Sequence, residues 1–174
     1  MNYFEFLQIA IPQLLEGLVL TFEVSIICLV IGFFIGFPAA LARVYGPKWL
    51  SWIITGYIEI LRGTPVLVQL FLIYYGLPQL GITFTAFTSA FIALGLNSSA
   101  YQAEYFRGAI QAIKSGQMMA ARSIGMTRFQ AIRYVIIPQA FRFAIPAWSN
   151  EAISMIKISS IVYLITVPEM INVA

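Results

Sequence analysis

The chain has 174 residues, 60% of them hydrophobic and only 10% charged, with a net charge of +3 and a mean hydropathy of +0.87. A water-soluble domain needs roughly a quarter of its residues charged to coat its surface, so this composition points to a chain embedded in a lipid bilayer. Histidine and aspartate are absent and Cys28 is the only cysteine, which leaves no inventory for a metal site, a histidine-based catalytic centre or an internal disulfide. Cys28 reads as a small apolar side chain within a helix.

In chain order, residues 2–16, with Pro12, read as a short interfacial helix. No charge falls between residues 24 and 42, long enough as a helix to cross about 30 Å of hydrocarbon. A first span is therefore placed at about 17–42. It is expected to persist rather than be cleaved as a signal peptide, because residues 1–16 carry no basic side chain. A second apolar stretch, about 50–77, is interrupted by Glu59 and Arg62, and Pro78 with Gly81 marks a tight turn after it. A third span is placed at about 82–104, and a fourth, with Glu151 and Lys157 inside it, at about 143–165. The expected fold is all-α, a polytopic transmembrane helical bundle forming one domain over 1–174, with four spans and no internal repeat.

Arginine and lysine set the orientation. The N-terminal tail, the Pro78 turn and the tail after Ile165 have none, whereas Arg43 and Lys48 lie between the first two spans. Arg107, Lys114, Arg122, Arg128, Arg133 and Arg142 follow the third. Positive loops stay cytoplasmic, so the N-terminus and the last residues are expected outside, with the chain a multi-pass protein of the cell membrane.

The stretch at about 107–142 is too polar to span and too patterned for a linker. Residues 115–124 read as a short helix stopped by Gly125. Thr127 and Gln130 form a capping-box pattern, and Phe129, Ile132, Val135 and Ile136 recur at helical spacing until Pro138 is expected to end the run. Two short helices with exposed alanines make a knob. It is suited to a groove on a partner or to the anionic inner leaflet, and the pattern leaves both open.

Gly116-Gln-Met-Met-Ala-Ala-Arg-Ser-Ile-Gly125, followed by Ile136-Ile-Pro-Gln139, resembles the cytoplasmic loop of ABC importer permeases, with its Glu-Ala-Ala, Gly and Ile-x-Leu-Pro pattern. The run from Glu59 to Gly76, Leu96-Asn-Ser-Ser-Ala-Tyr101 with Glu104 and Arg107, and Ser149-Asn-Glu151 with Met155 and Lys157 resemble the polar amino acid branch. The resemblance implies a type I importer permease fold and a partner ATPase docked at Gly116, Gln117, Met119, Ala120, Ala121 and Gly125, with Pro138 beyond. It also implies a second permease subunit, identical or not, and an extracellular or periplasmic amino-acid-binding protein. Met119 stands where the loop's glutamate is usual, which removes any charged contact made there, and Ile137 replaces a leucine. Such permeases usually have a fifth helix, so a sequence stopping at residues 167–174 is expected to be truncated.

Nothing resembles a phosphate-cradling Gly-x-x-x-x-Gly-Lys-Ser/Thr, so the chain is expected to be no enzyme, to need no cofactor and to draw its energy from the ATPase. No nucleic-acid partner is expected. Close helix approach is prepared by Ser25, Cys28, Gly32 and Gly36, a stripe that reads as internal packing. Polar groups inside the bilayer are costly unless paired or facing water. Glu59 and Arg62, three apart, are expected to pair, and Gln69 reads as interhelical packing. Asn97, Tyr101 and Glu104 share one face of the third span, and Asn150, Ser154 and Lys157 share an arc of the fourth with Glu151 at its edge. A zwitterionic amino acid needs an acceptor for its ammonium, which Glu151 supplies, and donors for its carboxylate, which Asn97, Ser98 and Tyr101 supply, with Ser154 nearby. The structural alternative has Lys157 pairing Glu151 or Glu104 to hold helices together. Other classes remain: a proton-coupled carrier using Glu59, Glu104 and Glu151 as a relay, or a membrane anchor that transports nothing.

Overall fold

The computed structural model describes the backbone of residues 3–162 and 164–165. The expected extracellular tail beyond Ile165 lies outside the described residues, as do residues 1 and 2. The described residues are predominantly helical, with no strand among them.

Helix α1 runs from Tyr3 to Tyr45. The separate interfacial helix expected over residues 2–16 does not exist: Pro12 sits within α1 and does not end it. Its stretch Gly17–Tyr45 is long and apolar enough to cross a membrane.

Helix α2, Lys48–Gly63, and helix α3, Val66–Phe71, meet at a sharp break. The second apolar stretch is therefore not one straight span: Lys48–Gly63 and Val66–Leu80 diverge by 100°. Thr64 is extended, with φ −107° and ψ 129°, because the ring of Pro65 disfavours a helical residue before it. The break strands carbonyls that no helix can satisfy. Gln69 Nε2 caps two of them, Leu61 O at 2.7 Å and Thr64 O at 2.9 Å, so Gln69 ties α3 to the end of α2 across the break, an interhelical contact as expected. After α3 a π turn, Leu72–Gly76, and a 3-10 turn, Leu77–Leu80, close on Gly81. Gly81 has φ +82°, a left-handed conformation that glycine adopts without strain.

Helix α4, Ala86–Gln111, begins on a cap in which the Thr85 hydroxyl accepts the Thr88 N–H. It continues past the span end expected at 104, supported by Arg107 reaching back to Glu104 and forward to Gln111. Small residues surround much of it: Ala90, Ala93, Ser98, Ser99, Ala100 and Ala103 are all fully buried. That makes α4 the central helix, against which α1, α2 and α7 pack. The α1 contact is closest at Gly32 and Gly36, where a Cβ would lie 2.5 Å from Gln102 Nε2 and 2.5 Å from the Ser99 carbonyl oxygen. The small-residue stripe is thus an internal seam.

Helix α5, Gly116–Ser123, leads to Gly125 at φ +88°. Helix α6, Arg128–Ala131, starts on the expected capping box, and a π turn, Ile132–Ile136, carries it into helix α7, Ile137–Ile158. Pro138 therefore does not end a run; the helical turns continue through it, directly after the π turn Ile132–Ile136. A last 3-10 turn spans Ser159–Val162. Leu18, Phe22, Ile26, Val30 and Phe34 of α1 and Trp49, Trp52 and Ile60 of α2 face outward, the apolar surface that lipid covers.

Candidate functional site

The break between α2 and α3, the middle of α4 and the face of α7 around Glu151 enclose a cavity of about 420 Å³. Its walls include Arg62, Gly63, Thr64, Asn97, Tyr101, Tyr105, Glu151 and Ser154. Of the expected substrate residues, Asn97, Tyr101, Glu151 and Ser154 line it, and Ser98 lies behind Glu151. Asn97 is also committed to the break, donating from Nδ2 to Leu61 O at 3.2 Å.

Glu151 is buried, and its carboxylate accepts from Ser98 Oγ at 2.8 Å and from the Tyr105 hydroxyl at 3.4 Å. The Ser98 bond has a fixed direction. Trp148 Nε1 can only donate and the Leu29 carbonyl can only accept, so together they orient the Gln102 amide, at 2.9 and 3.0 Å respectively. Gln102 Nε2 also donates to Ser98 Oγ at 3.1 Å. Having accepted there, Ser98 directs its single proton at Glu151. The chain from Trp148 through Gln102 and Ser98 joins α7, α4 and α1 and presents Glu151 to the cavity as an acceptor. Tyr105, Gln102 and Trp148 were missed from sequence. Ser98, Gln102 and Tyr105 do share one face of α4 by i, i+4, i+7 spacing, the one signal that could have found them.

The expected ion pairs are rearranged. Glu104, not Glu59, is the hub: Arg43 Nη1 bonds its Oε1, Arg107 Nη2 lies 2.6 Å from Oε2, and Arg62 Nη1 lies 4.0 Å from Oε2. Glu59 is exposed and makes no ion pair with Arg62 among the described residues, because Arg62 turns inward over the ring of Tyr101, 5.1 Å from its centroid. Lys157 is exposed, and among the described residues it pairs with neither Glu151 nor Glu104. It points away from the face of α7 that buries Glu151 and Met155.

The arginine-bearing segments meet at one end of the bundle, where Arg128 Nη2 donates to Tyr45 O at 3.3 Å and stacks over the Tyr45 ring. There α5 packs on the bundle through Met118 and turns its other face outward. Gly116, Gln117, Met119, Ala120 and Gly125 are exposed, and Met119 and Ile124 show 63% and 77% of their surface. Ala121, expected on the exposed face, is buried: the turn closed by Gly125 N–H to Arg122 O and Met126 N–H to Ala121 O folds over it. Pro138 is exposed near this end, and Gln139 reaches Gln117 at 3.4 Å.

Residues 29–174 match the family of binding-protein-dependent transport system inner membrane components. The chain belongs to that family. It is a permease subunit of an ABC importer, with the type I permease fold. It is 40% identical over 161 residues to a probable amino-acid ABC transporter permease protein, YckA of Bacillus subtilis, covering 92% of this chain and 71% of that one. The crystal structure of an amino acid ABC transporter with histidines superposes with a TM-score of 0.85 at 44% identity, over 95% of this chain and 77% of that chain. The MetNI methionine ABC transporter in an inward-facing conformation shares the fold, with a TM-score of 0.73 at 22% identity over 84% and 71% of the two chains.

Proposed function

We propose that this permease carries polar amino acids and that the cavity beside Glu151 is where their ammonium group is held. The observation that carries this reading is a buried carboxylate at a cavity wall, hydrogen-bonded by Ser98 and Tyr105 but with no ion-pair partner among the described residues. An acceptor kept ready in a low-dielectric site is completed by a cation, and a transported ammonium is one. The similarity to amino-acid permeases and to an amino acid transporter crystallised with histidines supports the substrate class.

The rest of the machine follows from the same family. A separate ATPase docks on the exposed face of α5, two permease subunits pair about a two-fold axis because four or five helices enclose no adequate pathway, and a binding protein delivers substrate. The clustering of both basic segments at one end supports four spans, a cytoplasmic loop at about 107–142 and an external N-terminus.

Uptake measured for Glu151→Gln, Lys157→Met and the double variant tests the site. Glu151→Gln keeps the shape but loses the charge, and should lower uptake at least tenfold at normal membrane yield, given about 1.5–3 kcal/mol for a charge-assisted hydrogen bond. Lys157→Met should leave uptake intact and should not rescue the double variant. Recovery in the double variant, or no loss in the single one, assigns Glu151 to helix packing instead.

A further inference from the structure

Arg62 stands in the last turn of α2, immediately before the break, and its side chain is 39% exposed at the cavity wall. Its charge has weak local compensation. Arg107 grips both oxygens of Glu104 with contacts of 2.6, 3.1 and 3.2 Å, and Arg43 donates to Oε1 as well. Arg62, at 4.0 Å, lies outside hydrogen-bond range of the same carboxylate. Glu59, three residues before it on α2, is exposed and forms no ion pair among the described residues. Of the three arginines around Glu104, Arg43 and Arg107 hydrogen-bond it, and the one that does not is Arg62, in the cavity wall.

The mode in which Arg62 is held matters as much as its charge. Its guanidinium rests over the Tyr101 ring, 5.1 Å from the centroid. A cation–π contact orients the guanidinium without using any of its five N–H donors, and among the described residues no hydrogen bond ends on them. A planar, positively charged fork with free donors matches a carboxylate, which it binds through two parallel hydrogen bonds.

We propose that Arg62 is the carboxylate anchor of this cavity and a specificity-determining residue for the acid end of the substrate. The proposal rests on the reading of Glu151 as the ammonium acceptor: with both in one cavity wall, the cavity carries one negative and one positive pole and selects a zwitterion over a simple amine. Arg62 is kept available because Glu104 is already satisfied by Arg43 and Arg107.

Direct binding to the purified permease–ATPase complex, without the binding protein, tests it. The probes are L-histidine, L-arginine and L-glutamine, each beside its C-terminal carboxamide, which keeps the ammonium and removes the negative charge. The unaltered complex should prefer at least one acid over its amide by about tenfold or more. Arg62→Gln should weaken that acid about tenfold while leaving the amide unchanged, bringing the ratio near one. Arg62→Lys, with the charge but not the fork, should fall between. A purely bracing role for Arg62 would weaken acid and amide equally, and an unchanged ratio in Arg62→Gln overturns the proposal, as does an unaltered complex that binds acid and amide alike. If Glu151→Gln still removes binding in either case, the ammonium reading stands and only the Arg62 assignment fails. If Glu151→Gln binds both probes normally, the reading beneath it fails as well.

Discussion

At Gly36 a methyl group has nowhere to go, since its carbon would sit 2.5 Å from the Ser99 carbonyl oxygen and 3.0 Å from the Ala103 backbone nitrogen. Backbone on both sides cannot swing aside, so Gly36→Ala must push α1 off α4. Overpacking of this kind costs about 1–3 kcal/mol, and thermal unfolding in detergent should register it as a clear fall in Tm. Gly56→Ala is the control: nothing lies within 4 Å of its added carbon, and alanine favours a helix by about 1 kcal/mol over glycine. Equal melting of the two variants would contradict the seam. This part of the site was legible in sequence, because small residues at helical spacing betray a close approach. The Trp148–Gln102–Ser98–Glu151 chain was not, because its partners sit on three helices and its key acceptor is the backbone carbonyl of Leu29. Lys157 was misjudged for a related reason: charge along α7 reveals proximity to Glu151 in sequence but not the face each side chain takes.

Among the elements, the α2–α3 break was half visible. Pro65 disfavours a helical Thr64, but nothing in the sequence gives the 100° size of the break or shows that Gln69 and Asn97 satisfy the Leu61 carbonyl that it frees. Pro138 misled because proline disfavours a regular helix interior, whereas here a π turn directly before it lets the helical run continue. Helix α5 was legible as a knob, except that Ala121 lies under it. A charge at Ala121 would therefore disrupt α5 itself, whereas Ala120 is exposed and tests docking alone. Ala120→Arg should insert normally and lose co-purification with the ATPase; stoichiometric recovery of the complex would contradict docking there. Ala120→Cys, with the native Cys28 fully buried elsewhere in α1, should react with a membrane-impermeant maleimide in inverted vesicles and not in intact cells. The reverse pattern would invert the orientation.

Across the whole molecule, composition identified the bilayer and basic residues identified one end of the bundle, which the Arg128–Tyr45 contact draws together. Hydropathy was less reliable for counting spans. Gly17–Tyr45 qualifies alone, and Lys48–Leu80 qualifies only as a bent pair. The polar residues that lower the average of α4, such as Ser98, Ser99 and Gln102, are buried between helices rather than set against lipid. The proposed site has the same origin: groups expensive in lipid are gathered around one cavity, with Glu151 and Arg62 in its wall and Glu104 neutralised by Arg43 and Arg107. Whether that cavity is driven by ATP or by protons is decided by uptake of radiolabelled L-histidine, L-arginine and L-glutamine into proteoliposomes holding the permease, its ATPase and the binding protein. Uptake of at least one of them should require hydrolysable ATP inside the assembly and persist when a protonophore collapses every proton gradient. Uptake driven by an imposed proton gradient without ATP would contradict the account.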